Sequence, residues 1–69
     1  MPSKSLSETA YQEIRKRIIF GEYLPGEVLS ENGLSKELEM SRTPIRDALH
    51  RLDSEGFLVT LKNRGILVK

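Results

Sequence analysis

Two arginines, Arg42 and Arg46, stand one helical turn apart, with Thr43 between them and Ser41 just ahead. A guanidinium is a planar fork of donors that matches the O6 and N7 acceptors of guanine and also phosphate oxygens. The hydroxyls of Ser41 and Thr43 can cap a helix or donate to phosphate, and an open helix start itself attracts an anion. Ser41 reads better as a cap and Thr43 as a contact to DNA. Recognition of a polyanion, rather than bond making, is the chemistry this cluster offers.

Such a cluster works only if a helix aims it. At roughly 100° per residue, Ile45, Ala48, Leu49 and Leu52 fall on one arc, and Arg42, Thr43, Arg46 and His50 fall on another. The first arc predicts a buried seam, and the second predicts two guanidinium forks projecting outward. Pro44 falls in the first turn of this helix, about 42–55, where backbone N–H groups have no intrahelical acceptor. Gly56 supplies its stop. Asp47 is expected to pair with Arg51 one turn on, and His50 to be solvated or peripheral.

Ahead of it, Ser30 can cap a short helix over about 31–38, with Leu34 and Leu38 one turn apart. Gly33 is a poor helix former inside it. Further back, Ser5 and Glu8 have capping-box spacing, and Leu6, Ala10, Ile14 and Ile18 recur every four residues with Tyr11 extending the stripe. This predicts a first helix over about 6–20, closed by Gly21, whose Arg15, Lys16 and Arg17 form a solvated face. Pro25-Gly26 makes a turn.

Past Gly56, Leu58 to Leu61 and Ile66 to Val68 flank Lys62-Asn63-Arg64-Gly65, which is turn chemistry for a hairpin. Val59 and Leu61 are expected to share a face with Ile66 and Val68. The predicted fold class is therefore mainly α with a small β-hairpin: a three-helix winged helix-turn-helix over residues 1–69. At its wing tip Arg64 can enter a minor groove, Gly65 lets the backbone come close, and Lys62 and Asn63 are candidate phosphate partners. Tyr11, Phe20, Tyr23 and Phe57 read as packing residues rather than base-stacking platforms.

The 69 residues carry a net charge of only +1, but the charge is segregated. Between Glu22 and Met40 the acids Glu22, Glu27, Glu31, Glu37 and Glu39 face one base, Lys36. From Ser41 onward the bases Arg42, Arg46, Arg51, Lys62, Arg64 and Lys69 outnumber Asp47, Asp53 and Glu55. Positive charge thus gathers on the elements expected to touch DNA. With no cysteine and one histidine, a zinc finger is excluded. No apolar run is long enough for a membrane span, and a cytoplasmic location is expected. A short chain without a phosphate-cradling glycine loop or room for a ligand cavity argues against an enzyme. A winged-helix module that docks a protein is the alternative; it would need an exposed apolar patch on the third helix or wing, where the pattern has polar residues.

The order and spacing of Gly21, Leu24-Pro25-Gly26, Leu29-Ser30-Glu31, Leu34, Leu38, Ser41-Arg42-Thr43-Pro44-Ile45-Arg46-Asp47-Ala48-Leu49, Leu52, Glu55-Gly56 and Arg64-Gly65 resemble the N-terminal DNA-binding domain of GntR-type bacterial transcription regulators, within them the FadR-like branch. The resemblance implies a regulator, most simply a repressor, that binds double-stranded DNA at a palindromic operator as a homodimer, with the third helix in the major groove. It implies a separate C-terminal effector and dimerisation domain, absent from this chain, that would hold any small-molecule effector or metal; no cofactor is expected here. Similar proteins often carry Arg at the position of Asn32 and an acid or amide at that of Gly33. They commonly have glycine where this chain has Glu39, so a positive φ there would store roughly 1 kcal/mol of strain.

Overall fold

The computed structural model describes residues 5–61 and 65–69. Three helices, α1 (Leu6–Ile19), α2 (Glu31–Leu38) and α3 (Arg42–Ser54), pack against a sheet of three short strands, β1 (Val28–Leu29), β2 (Leu58–Thr60) and β3 (Ile66–Val68). All pairings are antiparallel, in the order β1-β3-β2. The third strand, β1, was not expected from two apolar residues ahead of a cap.

One apolar cluster joins the layers. Ala10 and Ile14 of α1, Leu34 of α2, Ile45, Ala48, Leu49 and Leu52 of α3, and Leu58, Ile66 and Val68 of the sheet are buried together. Each fully buried aliphatic side chain here contributes about 1.5–3 kcal/mol. The expected α1 stripe is shorter than its sequence pattern: at its two ends Leu6 is exposed and Ile18 is only partly buried, so Ala10, Tyr11 and Ile14 carry the buried face. Phe20, expected to pack, is 74% exposed. It is the C-cap residue just past α1.

Hydrogen bonds and an ion pair between side chains clamp α1 onto α3. Ser7 Oγ donates to Asp47 Oδ2 (3.2 Å), Arg51 Nη1 to Glu8 Oε1 (2.9 Å) and Tyr11 Oη to Glu55 Oε1 (2.5 Å). Asp47 therefore does not pair with Arg51 as its spacing suggested. Arg51 is drawn instead to Glu8 and Glu55 and lies over the Tyr11 ring, 3.7 Å from its centroid. Ser7 and Glu8, on another helix, and Glu55, one turn further on at the end of α3, take the place of a local pair worth only tenths of a kcal/mol.

Each helix ends in the same device. In α1, the Gly21 N–H bonds to Ile18 O and that of Glu22 to Arg17 O; in α3, Gly56 bonds to Asp53 O and Phe57 to Leu52 O. In α2, Glu39 bonds to Lys36 O and Met40 to Ser35 O. These are Schellman caps, which require a left-handed residue just past the helix. Glycine fills that place twice, but in the turn between α2 and α3 it is Glu39, with φ 56° and ψ 47°. The Ser35 hydroxyl also donates to Met40 O, tightening this turn.

The hairpin register differs by one residue from the expectation. Leu58 opposes Val68, Val59 opposes Leu67 and Thr60 opposes Ile66, so the buried face is Leu58, Ile66 and Val68 while Val59 lies on the other. Counting Gly65 as part of the turn caused the slip. Its carbonyl accepts the Leu61 N–H (3.0 Å), which places it opposite Leu61, and a one-residue shift exchanges the faces of a strand.

Candidate nucleic-acid interface

The start of α3 is where the chemistry gathers. Ile45, Ala48, Leu49 and Leu52 seal one side of the helix into the core, with Pro44 buried beside them. Ser41, Arg42, Thr43, Arg46 and His50 are all exposed on the other. Next to them lies the start of α2, so the two helix openings form one surface.

Ser41 holds the N-cap position of α3 with extended backbone (φ −67°, ψ 169°), yet its side chain makes no capping hydrogen bond. This corrects the reading of Ser41 as a cap, and the cause is Pro44. In α1 and α2 the capping serines, Ser5 and Ser30, accept from the N–H three residues on, Glu8 (3.1 Å) and Gly33 (2.9 Å). Three residues past Ser41 stands proline, which has no N–H to offer. The Ser41 hydroxyl is not spent on the helix.

The two guanidinium groups reach the surface but are not free. Arg46 donates from Nε to Glu31 Oε2 (3.2 Å) and from Nη2 to Glu31 Oε1 (3.3 Å), with its side chain 58% exposed. Arg42 donates from Nη1 to Asn32 Oδ1 (3.2 Å). The first two residues of α2 thus hold Arg42 and Arg46 at the opening of α3, in a pairing that links sequence positions too distant for any local pattern to reveal. The bond to Glu31 raises the pKa of the Arg46 guanidinium above its already high value. His50 lines a small cleft of about 110 Å³ with Glu31, Arg46, Leu49, Thr60 and Ile66.

At the wing, Lys62, Asn63 and Arg64 lie outside the described residues. Gly65 has φ +82°, and a Cβ there would stand 2.6 Å from Val28 Cγ1 and 3.3 Å from Leu29 O. Its lack of a side chain therefore admits strand β1, a packing role not visible when it was read as making room for DNA. Asp53 fixes the other strand to α3, its Oδ2 accepting from the Thr60 N–H (3.1 Å) and Oγ1 (2.9 Å).

Two features elsewhere depart from expectation. Arg17 is not part of a solvated face: its side chain is 20% exposed and meets Glu13 (3.2 Å), Glu22 (3.7 Å) and Glu37 (3.1 Å). It also donates to Tyr23 Oη (3.0 Å), which donates to Glu37 (3.0 Å). This network ties α1 to α2 through the intervening loop. An open groove of about 590 Å³, larger than expected of so short a chain, runs along α1 beside Tyr11, Arg15, Lys16, Phe20 and Arg51. It lies apart from the α3 opening, and its Arg51 is already paired with Glu8. Among the described residues no helix is long and apolar enough to cross a membrane.

Comparison with known proteins follows the same outline. The family model described as "Bacterial regulatory proteins, gntR family" matches residues 6–68. The chain is 47% identical over 47 residues to the Nta operon transcriptional regulator of Aminobacter aminovorans, covering 68% of this chain and 22% of that protein. It is 46% identical over 56 residues to the gluconate operon transcriptional repressor of Bacillus licheniformis, covering 81% and 23%. The chain thus spans about a quarter of the length of these relatives. Among solved structures, the DNA-binding domain of AraR in complex with operator ORR3 superposes with a TM-score of 0.83 at 29% identity, covering 100% of this chain and 90% of that one.

Proposed function

We propose that this chain, which belongs to the GntR family of bacterial regulatory proteins, binds double-stranded DNA through the opening of α3. The observation that carries this reading is the exposed set Ser41, Arg42, Thr43 and Arg46 on a helix whose opposite side is sealed in the core. A rigid apolar seam lets the polar face approach a groove without rearrangement. Arg42 and Arg46 read base edges or clamp phosphate, while Thr43 and the uncommitted Ser41 hydroxyl donate to phosphate oxygens. Arg64 at the wing reaches the neighbouring minor groove, with Lys62 and Asn63 on the backbone and Gly65 holding the wing against β1.

On this reading the chain is the operator-contacting part of a transcription regulator rather than an enzyme, working in the cytoplasm beside the chromosome. The AraR domain is seen with its operator, and the gluconate operon relative is a repressor; occupancy of a palindromic operator by a homodimer is the mode proposed here. One small module makes few contacts, so a single copy binds weakly and two linked copies gain by effective concentration.

The test is selection of duplexes from a random pool, followed by titration of the selected duplex at several salt concentrations. A preferred half-site, with log affinity falling steeply and linearly against log salt, is the expected result. Salt-insensitive binding, or no sequence preference, would overturn the reading.

A further inference from the structure

The contact between Glu31 and Arg46 has a geometry that goes beyond charge neutralisation. The carboxylate engages the Nε and Nη2 edge of the guanidinium with both oxygens. That leaves the other edge, formed by Nη1 and the second proton of Nη2, as a pair of parallel donors with no partner among the described residues. This outer edge is the fork that matches O6 and N7 of guanine. An arginine on its own loses much rotamer freedom when it grips a base, whereas one already held on its inner edge does not.

Glu31 sits where its charge is favoured. It opens α2 directly after the Ser30 cap, where a negative charge suits the helix start. Its side chain is less exposed than that of Arg46, 31% against 58%, so the acid is the fixed member of the pair and the arginine the projecting one.

We infer that Glu31 is a positioning residue that determines base specificity, by holding Arg46 with its outer donor pair presented to a guanine in the major groove. Asn32 steadies Arg42 through one bond only, which leaves Arg42 the more adaptable contact. Glu31 touches no nucleotide in this scheme. Removing it leaves Arg46 present and charged but no longer set in one orientation. Loss of specificity should therefore exceed loss of general affinity, which a carboxylate near phosphates opposes in any case.

The inference rests on the DNA-binding reading above, and the experiment separates the two. The wild-type chain, Glu31→Ala and Glu31→Gln are titrated with the duplex selected by the wild type, with a scrambled duplex of the same composition, and with selected duplexes carrying 7-deazaguanine at one guanine at a time. In the wild type, one 7-deazaguanine position should carry a large penalty that Arg46→Ala abolishes. In Glu31→Ala, binding to the selected duplex should weaken by about tenfold, the penalty at that same position should shrink, and affinity for the scrambled duplex should hold or rise. Glu31→Gln keeps the size of the side chain and one acceptor oxygen, so it should fall between the two and guards against a folding defect in the alanine variant.

An unchanged penalty pattern in Glu31→Ala would overturn the inference while leaving the DNA-binding reading intact. So would equal strengthening on selected and scrambled duplexes, which would make Glu31 only a competing counter-charge. A wild-type chain that prefers no duplex would overturn both.

Discussion

Replacing Glu39 by glycine should stabilise the protein. Glu39 occupies the left-handed position of the Schellman cap that ends α2, with φ 56° and ψ 47°. An L-residue there carries a cost of roughly 1–2 kcal/mol, offset by the roughly 0.5–1 kcal/mol of extra chain entropy that glycine loses on folding. The net gain for Glu39→Gly is then about 0.5–1 kcal/mol. An unfolding entropy of about 2.1 cal/mol/K per residue over 69 residues is about 0.14 kcal/mol/K, so the midpoint should rise by about 3–7 °C. Thermal unfolding followed by circular dichroism measures this directly. Gly56→Ala supplies the mirror experiment: it stands at the same place in the α3 cap with φ +88°, and an added Cβ meets nothing within 4 Å. Its midpoint should fall, because only the backbone conformation is penalised. A midpoint for Glu39→Gly that is unchanged or lower would refute the strain assigned to this turn.

Gly65→Ala should destabilise the DNA-free chain by about 1–3 kcal/mol in urea unfolding, since its Cβ would collide with Val28 at 2.6 Å; unchanged stability would remove the packing role given to this glycine. Arg17→Ala should cost about 1–3 kcal/mol by the same measurement, because it leaves the Tyr23 hydroxyl and three glutamates without their shared donor; a loss within error would mean the network is only decoration on the surface. Stability should also decline in alkali. Tyr11 is raised by its hydrogen bond to Glu55, and Tyr23 by burial. A folded-state pKa above the unfolded value gives stability that is present below pH about 10 and lost as pH rises through the raised values. The double variant Tyr11→Phe, Tyr23→Phe should flatten that decline in a series of thermal melts, and an equally steep decline would contradict it.

The parts of the molecule written as short-range patterns were legible in the sequence. The four-residue recurrence of Ala10 and Ile14, the arc of Ile45, Ala48, Leu49 and Leu52, and the serines ahead of α1 and α2 each act within one or two helical turns, and the structure uses them so. The opening of α3 was also legible as an exposed polar face. Its inner partners were not: Glu31 and Asn32 lie far from Arg46 and Arg42 in sequence, and only the α2–α3 turn brings them together. Arg17, Asp47 and Arg51 were misread in a related way: Arg17 and Arg51 do meet an acid one turn away, Glu13 and Glu55, but helical spacing is blind to their further partners Glu37 and Glu8, and to the Ser7 that Asp47 meets, on other elements. Ser41 was a different failure. Its residue type says cap, but the proline three residues later removes the donor, a signal present in the sequence and readable once the two positions are considered together.

The central claim is that Arg42 and Arg46, exposed at the opening of α3, read DNA. Its most direct test is the affinity of the Arg42→Ala, Arg46→Ala double variant for the duplex selected by the wild type, with folding checked by an unchanged thermal midpoint. Each arginine that reads a base should contribute about 1–3 kcal/mol, so affinity should fall by at least about tenfold and the preference over scrambled duplex should collapse. Full affinity and full preference in a folded double variant would contradict the claim.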